Sequence, residues 1–144
     1  MAAVPVVTIS GAEKVYPNGT RALAPVDLEI RQGEFLTLLG PSGCGKTTLL
    51  NLIAGLIAPS GGRLDWWGGE FATTGTPGRR LGFVFQSPTL MPWARIEANV
   101  RLPLDLAGVD RASATRGALA TLAQVGLEEF AQHFPRELSG GMQM

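Results

Sequence analysis

Lysine is nearly missing from this sequence. Ten arginines carry almost all of its positive charge, and only Lys14 and Lys46 break that pattern. Cysteine occurs once, at Cys44. That excludes an internal disulfide framework and suits a reducing compartment. Net charge is missing too: twelve basic residues face twelve acidic ones, so overall charge lends no support to a nucleic-acid partner. The N-terminal stretch MAAVPVVTIS has no positive region ahead of its apolar residues, which makes it a poor signal peptide. No long hydrophobic run occurs either. The longest nearly apolar stretch, Leu49 to Ala58, is interrupted by Asn51, and it falls far short of the ~20 residues that a membrane-spanning helix needs. These absences leave a 144-residue chain, 45% hydrophobic, of a size that fits one domain with a real core. Any membrane role is expected to come through partners.

The pattern of what is present reads as α/β. Val6 to Ile9 and Glu13 to Tyr16 have the look of short strands, and Pro17-Asn18-Gly19 is a turn signal. Val26 to Ile30 alternates apolar and charged residues, as a half-buried strand does. Glu34 to Leu39 is almost wholly apolar, which predicts a strand buried on both faces. A glycine-rich loop follows, then a predicted helix from Lys46 to about Ala54. Arg63 to Trp67 and Leu81 to Phe85 are further strand candidates, separated by a polar Gly/Pro-bearing loop from Phe71 to Arg80. Beyond Gln86 the pattern turns helical, with helices predicted over Ile96 to Ala107 and Ala112 to Val125. In the second, Leu119, Leu122 and Ala123 are predicted to share the inward face. The change from strand-rich core to helical subdomain is placed near residue 87.

Gly40-Pro41-Ser42-Gly43-Cys44-Gly45-Lys46-Thr47 fits the phosphate-loop pattern G-x-x-x-x-G-K-[ST] between a predicted strand and a predicted helix. Glycine lets backbone N–H groups converge on phosphate oxygens with no Cβ in the way. The helix N-terminus adds unpaired donors and a partial positive charge. Lys46 is predicted to reach the β- and γ-phosphates, the Thr47 hydroxyl to ligate Mg²⁺, and the Thr48 N–H to meet the α-phosphate. Cys44 sits in a variable slot and reads as a small residue. This loop alone suits kinases, GTPases and ATPases alike.

Near the end stands Leu138-Ser139-Gly140-Gly141-Met142-Gln143. Physically this is a second helix start: Ser139 can cap, and Gly140 and Gly141 permit close approach of backbone to an anion. The run closely resembles the signature motif of ABC ATPases. Gln86, ending Gly82-Phe83-Val84-Phe85-Gln86, resembles that family's Q-loop glutamine. Tyr16 resembles the aromatic residue that stacks on adenine, while an ordinary strand tyrosine remains the alternative. On these motifs the chain is similar to the ATP-binding subunits of ABC transporters over nearly its whole length. The resemblance implies a P-loop NTPase core, here partial, with an antiparallel β subdomain and an α-helical subdomain. About 1–86 would form the nucleotide-binding part, about 87–138 the helical subdomain, and 139–144 the start of the signature helix.

The resemblance also implies ATP and Mg²⁺ as cofactors, with Lys46 and Gln86 in catalysis and Thr47 and Gln86 at the metal. Two copies, or a pair of ABC subunits, would sandwich ATP. Tyr16 and Gly40 to Thr48 of one would face Ser139, Gly140 and Gly141 of the other. Partners would be a transmembrane permease and, indirectly, a solute-binding protein, at the cytoplasmic face of the inner membrane, with no nucleic acid. Met91-Pro92-Trp93 and Ala98-Asn99-Val100-Arg101-Leu102-Pro103-Leu104 look like the nitrate/sulfonate/taurine importer branch, which takes up small, often anionic nutrients. Trp93 and Leu90 would lie near the permease, Leu90 equally suiting a core position. Trp66 and Trp67 read as packing or turn residues, and His133 as a surface or capping residue. A soluble ABC ATPase of DNA repair or translation fits the Met91-Pro92-Trp93 segment and the neutral charge less well.

One departure from the family stands out. Its members continue past the signature through a strand ending in Asp, a following Glu and a switch histidine, whereas this sequence stops at Met144. None of Asp27, Asp65, Asp105, Asp110, Glu128 and Glu129 ends a predicted buried strand beside the phosphate loop. The expectation is a C-terminally truncated module that binds ATP weakly and supplies no second carboxylate for hydrolysis.

Overall fold

The computed structural model describes residues 5–69 and 81–144. The chain divides into two compact units with the boundary between Phe83 and Val84. The predicted loop from Phe71 to Arg80 lies outside the described residues.

The first unit is built on a three-stranded antiparallel sheet in the order β2-β1-β3. β1 spans Pro5–Val15, β2 Arg21–Arg31 and β3 Gly61–Trp66. The two short strands predicted at the N-terminus are one strand with a bulge. Its register steps from Ile9 opposite Leu28 to Ala12 opposite Val26. At the bulge Gly11 takes φ 57, and its N–H donates to the Asp27 carboxylate at 2.7 Å. An extra residue in the ladder leaves a donor unpaired, and Asp27 satisfies it. The predicted turn closes the β1–β2 hairpin, with Tyr16 N donating to Thr20 O and Gly19 N to Tyr16 O, both at 2.9 Å.

Helix α1, Lys46–Ile53, sets Leu49 and Leu52 into a core with Val7, Ile9, Ala12, Leu23, Leu64 and Trp66. The Trp66 indole N–H donates to Ile53 O at 2.8 Å, tying β3 to the end of α1. Trp66 is therefore a packing residue as predicted, and Trp67, at φ 49, belongs to the turn beyond it.

Two sequence expectations fail here. Glu34 to Leu39 forms no strand, and Phe35 and Leu39 are 92% and 88% exposed. Leu81 to Phe85 forms none either, and Val84 is 83% exposed. Apolar sequence supplies the preference for a buried strand, but a strand exists only where a neighbour completes its ladder. Among the described residues no strand pairs with either segment.

The second unit holds α2, Ile96–Leu106, and α3, Arg111–Gln124. Short 3₁₀ turns follow at Glu128–Phe130 and Pro135–Glu137, then the four-residue α4, Gly140–Gln143. Its core joins Ile96, Leu122, Ala131 and Leu138, with Leu90, Val100 and Phe130 packed against them. The predicted inward face of α3 is corrected. Ala114, Ala118 and Leu122 are buried, at i, i+4 and i+8, whereas Leu119 and Ala123 are exposed. Leu119 is rotated about 100° from Ala118, so the buried face carries two alanines beside the one expected residue, Leu122. On α2 Arg101, almost fully buried, pairs with Glu97 and with Asp105 at 3.0 Å.

Asp110 caps α3, its carboxylate accepting from Ser113 N at 3.0 Å. Hydrogen bonds from Ser113, side chain first and then backbone, hold this carboxyl below the ordinary 3.8. A depressed folded pKa means stability that is complete above the unfolded value and lost as pH falls through the folded one. Asp110→Asn keeps a capping side chain but cannot titrate. The stability lead of wild type over this variant, followed by urea unfolding, should therefore shrink once the pH drops below 3.8. A lead independent of pH would contradict the role assigned to the charge. In the first unit Leu52 is 1% exposed, so Leu52→Ala should cost about 2–5 kcal/mol, seen as a lower urea midpoint.

Candidate functional site

The glycine-rich loop ends where α1 begins, and the contact that places it is unusually close. A Cβ on Gly45 would stand 2.7 Å from the Ala22 carbonyl oxygen and 2.9 Å from Leu23 Cδ1. Gly45 also has φ 98, so only glycine lets the loop rest on β2 and turn directly into the helix. Within the loop Cys44 N donates to Pro41 O at 3.4 Å. Gly43 has φ 80, and Gly40, Pro41, Ser42, Gly43 and the free Cys44 are exposed.

Three features of this junction suit an anion. Gly45 is the N-cap of α1 and no side chain caps the helix. The first helical bond is Leu49 N to Gly45 O at 2.8 Å, and among the described residues the N–H groups of Lys46, Thr47 and Thr48 have no acceptor. Free donors with the helix dipole behind them favour negative charge. Lys46 Nζ donates to the carbonyls of Gly40 and Pro41, both at 2.7 Å, and lies 3.6 Å from Cys44 Sγ. Its charge is thus folded back over the loop. The Thr47 side chain is exposed beside it. This donor set fits a polyphosphate. Among the described residues no cluster of three or more His, Cys, Asp or Glu could hold a metal ion. A magnesium ion here would be held through phosphate oxygens and uncharged side-chain oxygens.

Tyr16 lies at the same end of the sheet. It follows the β1 terminus, where Val15 pairs with Arg21, and Ala22 and Leu23 of that hairpin carry Gly45. The ring is 40% exposed, with Lys14 Nζ 5.6 Å from its centroid. An exposed aromatic residue at this end of the sheet suits a base platform. The role of Ala22 and Leu23 as the wall behind Gly45 was invisible in sequence, because nothing local signals a contact made across the hairpin.

The remaining predicted residues belong to the second unit. Gln86 is exposed in the stretch that precedes α2. Ser139 is the N-cap of α4, its hydroxyl accepting from Met142 N at 3.4 Å. Gln143 Nε2 donates to Pro135 O at 2.9 Å and Leu138 O at 3.0 Å, fastening this turn to the one before it. Gly140 and Gly141 are exposed, with open space where a Cβ would be. A cavity of about 520 Å³ in this unit is lined by apolar groups such as Leu90, Val100, Leu122 and Met142, and Gly141 is the predicted contact residue that borders it. Its lining is unsuited to a phosphate.

Four of the six acids weighed in the sequence have other partners. Asp27 closes the β1 bulge, Asp65 pairs with Arg63 at 2.8 Å, Asp105 binds Arg101 and Asp110 caps α3. Leu90 packs against the helical core, whereas Trp93 is 77% exposed. His133 is half-buried, with Nδ1 unpartnered, and its carbonyl accepts from Ile96 N at 2.9 Å. It therefore caps through its backbone.

Comparison with known proteins gives a consistent result. The family model described as "ABC transporter" matches residues 23–144. The taurine import ATP-binding protein TauB of Pseudomonas entomophila is 47% identical over 127 residues, covering 88% of this chain and 48% of that protein. TauB of Yersinia pestis is 43% identical over 136 residues, covering 94% of this chain and 52% of that protein. An uncharacterised ABC transporter ATP-binding protein of Methanocaldococcus jannaschii is 45% identical over 126 residues, or 88% of this chain and 46% of its own length. The chain thus spans about half the length of the curated relatives it matches. Among solved structures, the dimeric ATP-binding cassette MJ0796 in a post-hydrolysis state with ADP and Pi superposes with a TM-score of 0.83. It is 34% identical, with 95% of this chain and 65% of that one covered.

Adding a Cβ separates the two glycines that flank Cys44. Gly45→Ala meets a backbone carbonyl, whereas at Gly43 nothing lies within 4 Å. Both pay for a positive φ, roughly 1–3 kcal/mol, but only Gly45→Ala must also push α1 off β2. Thermal unfolding should show Gly45→Ala clearly less stable than Gly43→Ala. Equal melting temperatures would remove the Gly45–Ala22 contact from its supporting role.

Proposed function

This chain belongs to the ABC transporter family, and on that premise we propose that it carries the ATP-binding site of an importer subunit of the nitrate/sulfonate/taurine type. The observation that carries the reading is the uncapped start of α1, with three free N–H groups and the Lys46 ammonium at one loop. Backbone N–H groups of the loop Gly40 to Gly45, Pro41 excepted, and those of Lys46, Thr47 and Thr48 hold the phosphates. Lys46 exchanges its bonds to Gly40 and Pro41 for the β- and γ-oxygens. The Thr47 hydroxyl and the Gln86 amide are the proposed Mg²⁺ ligands, and Tyr16 stacks on adenine. When bound, Mg²⁺ supplies charge neutralisation across the β- and γ-phosphates.

MJ0796 is dimeric with ADP and Pi. By analogy, in the whole protein a second copy presents Ser139, Gly140 and Gly141 to the γ-phosphate, again a helix start offering hydroxyl and backbone donors. Closing and opening of that dimer would drive a permease at the cytoplasmic face of the membrane. The taurine importers among its relatives support a small anionic nutrient as the solute, delivered by a solute-binding protein. No helix among the described residues is long and apolar enough to cross a membrane, so contact with the bilayer is proposed to run through the permease.

The test is direct titration of the 144-residue chain with Mg-ATP. Lys46→Ala removes charge-assisted bonds to phosphate, and its affinity should fall roughly ten- to a hundredfold. An unchanged dissociation constant would refute the proposed site.

A further inference from the structure

Of the two lysines in the chain, Lys14 and Lys46, only Lys46 belongs to the glycine-rich loop. Lys14 stands near the end of β1, two residues before Tyr16, and is half-buried. Its Nζ donates to the Ala58 carbonyl at 2.6 Å and lies over the Tyr16 ring, 5.6 Å from the centroid. Among the described residues it pairs with no carboxylate. A neutral carbonyl satisfies one of its donors but does not balance the charge. The negative face of the ring does so in part. An ordinary surface lysine keeps its head in water and its stem free to turn. This one is pinned at the head by a residue distant in the chain.

The support of the ring comes from the segment that leaves α1. Ala54 N and Leu56 N bond back to Leu50 O and Asn51 O at 2.8 and 2.9 Å, closing the helix, and Ile57 packs against the sheet core. Ser60 then grips the end of β1 three times. Its N–H donates to Glu13 O at 2.8 Å, and its hydroxyl accepts from Val15 N at 3.0 Å and donates to Val15 O at 2.9 Å. On the other side the hairpin turn engages both the N–H and the carbonyl of Tyr16. The backbone under the ring is thus fixed from two directions, and Ala58 sets what stands over it. The start of α1 carries the free N–H groups, and the segment leaving its end holds the aromatic residue.

We propose that Lys14 is a positioning residue for the base of the nucleotide. Its ammonium occupies one face of the Tyr16 ring and leaves the other to the purine. A cation on the far face draws π density away from the near one, which strengthens stacking on an electron-rich base such as adenine. Because the ammonium and the backbone are held beforehand, little entropy is lost when the base arrives. The inference deepens the ATP-binding reading and rests on it for the ligand. Lys14 acts on the ring and has no part in gripping phosphate.

Two ligands separate base from phosphate: Mg-ATP engages both, whereas magnesium tripolyphosphate engages the loop alone. Both are titrated into the full chain at about 0.15 M salt, where distant charges are largely screened. Lys14→Met should weaken ATP binding about three- to fivefold and leave tripolyphosphate binding unchanged. Lys14→Arg, which keeps a cation over the ring, should restore ATP binding. Tyr16→Ala should weaken ATP about tenfold or more. Adding Lys14→Met to it should cause no further loss, because the ring through which Lys14 acts is gone. A lysine that only ties β1 to Ala58 would give the same loss with and without the ring, or equal losses for the two ligands, and either result overturns the proposal. So does ATP binding by Lys14→Met that matches wild type while both ligands bind, an outcome that leaves the phosphate loop intact. Wild type that binds neither ligand refutes the nucleotide site and the role of Lys14 together.

Discussion

The first unit depends on one close approach, the backbone of Gly45 against the Ala22 carbonyl. Because that contact admits no side chain, the glycine-rich loop passes straight from β2's surface into α1 with no capping group between. Leu49 and Leu52 then reach the sheet core, and the donors of the first helical turn are left facing outward. Burial and the free donors of the first turn thus share one cause. The packing that stabilises α1 is also what keeps its N-terminus uncapped, and any residue able to cap it would clash with the strand.

The helical unit follows a different economy. Its charged and polar side chains are largely consumed in holding short elements together: Arg101 between Glu97 and Asp105, Asp110 on α3, and Asn99 on the turn before α2. On α3, Ala114 and Ala118 are buried together with the expected Leu122, in place of Leu119 and Ala123. Arg95 and Arg136 stand instead over the Phe134 ring, held in place by their surroundings yet given no carboxylate among the described residues. A charge that is positioned and left unpaired is a different object from one that is merely solvated, since its orientation has already been set.

Much of this was legible beforehand. The phosphate loop, the signature run, the helix starts at Lys46, Ile96 and near Arg111, and the Pro17-Asn18-Gly19 turn are each written in residues close together in the chain. Steric permission at glycine, capping and turn chemistry are local properties. The expectation of strands at Glu34 to Leu39 and Leu81 to Phe85 rested on apolar composition, which reports a preference for burial and not the presence of a partner. The face of α3 was misplaced by one step of the helix because hydrophobicity was counted and the size demanded by the neighbouring helix was not.

By itself, then, the sequence determined which family the chain belongs to and where its phosphate site is proposed, since both readings depend on backbone freedom and donors within a few consecutive residues. Only the tertiary structure decided that Ala22 supports Gly45, that Asp27 serves a bulge, that Asp105 neutralises a buried arginine, and that Arg95 meets Arg136 across Phe134. Those pairings join residues brought together by packing. Even where they are near in sequence, the direction in which a side chain points follows from what the rest of the fold leaves open.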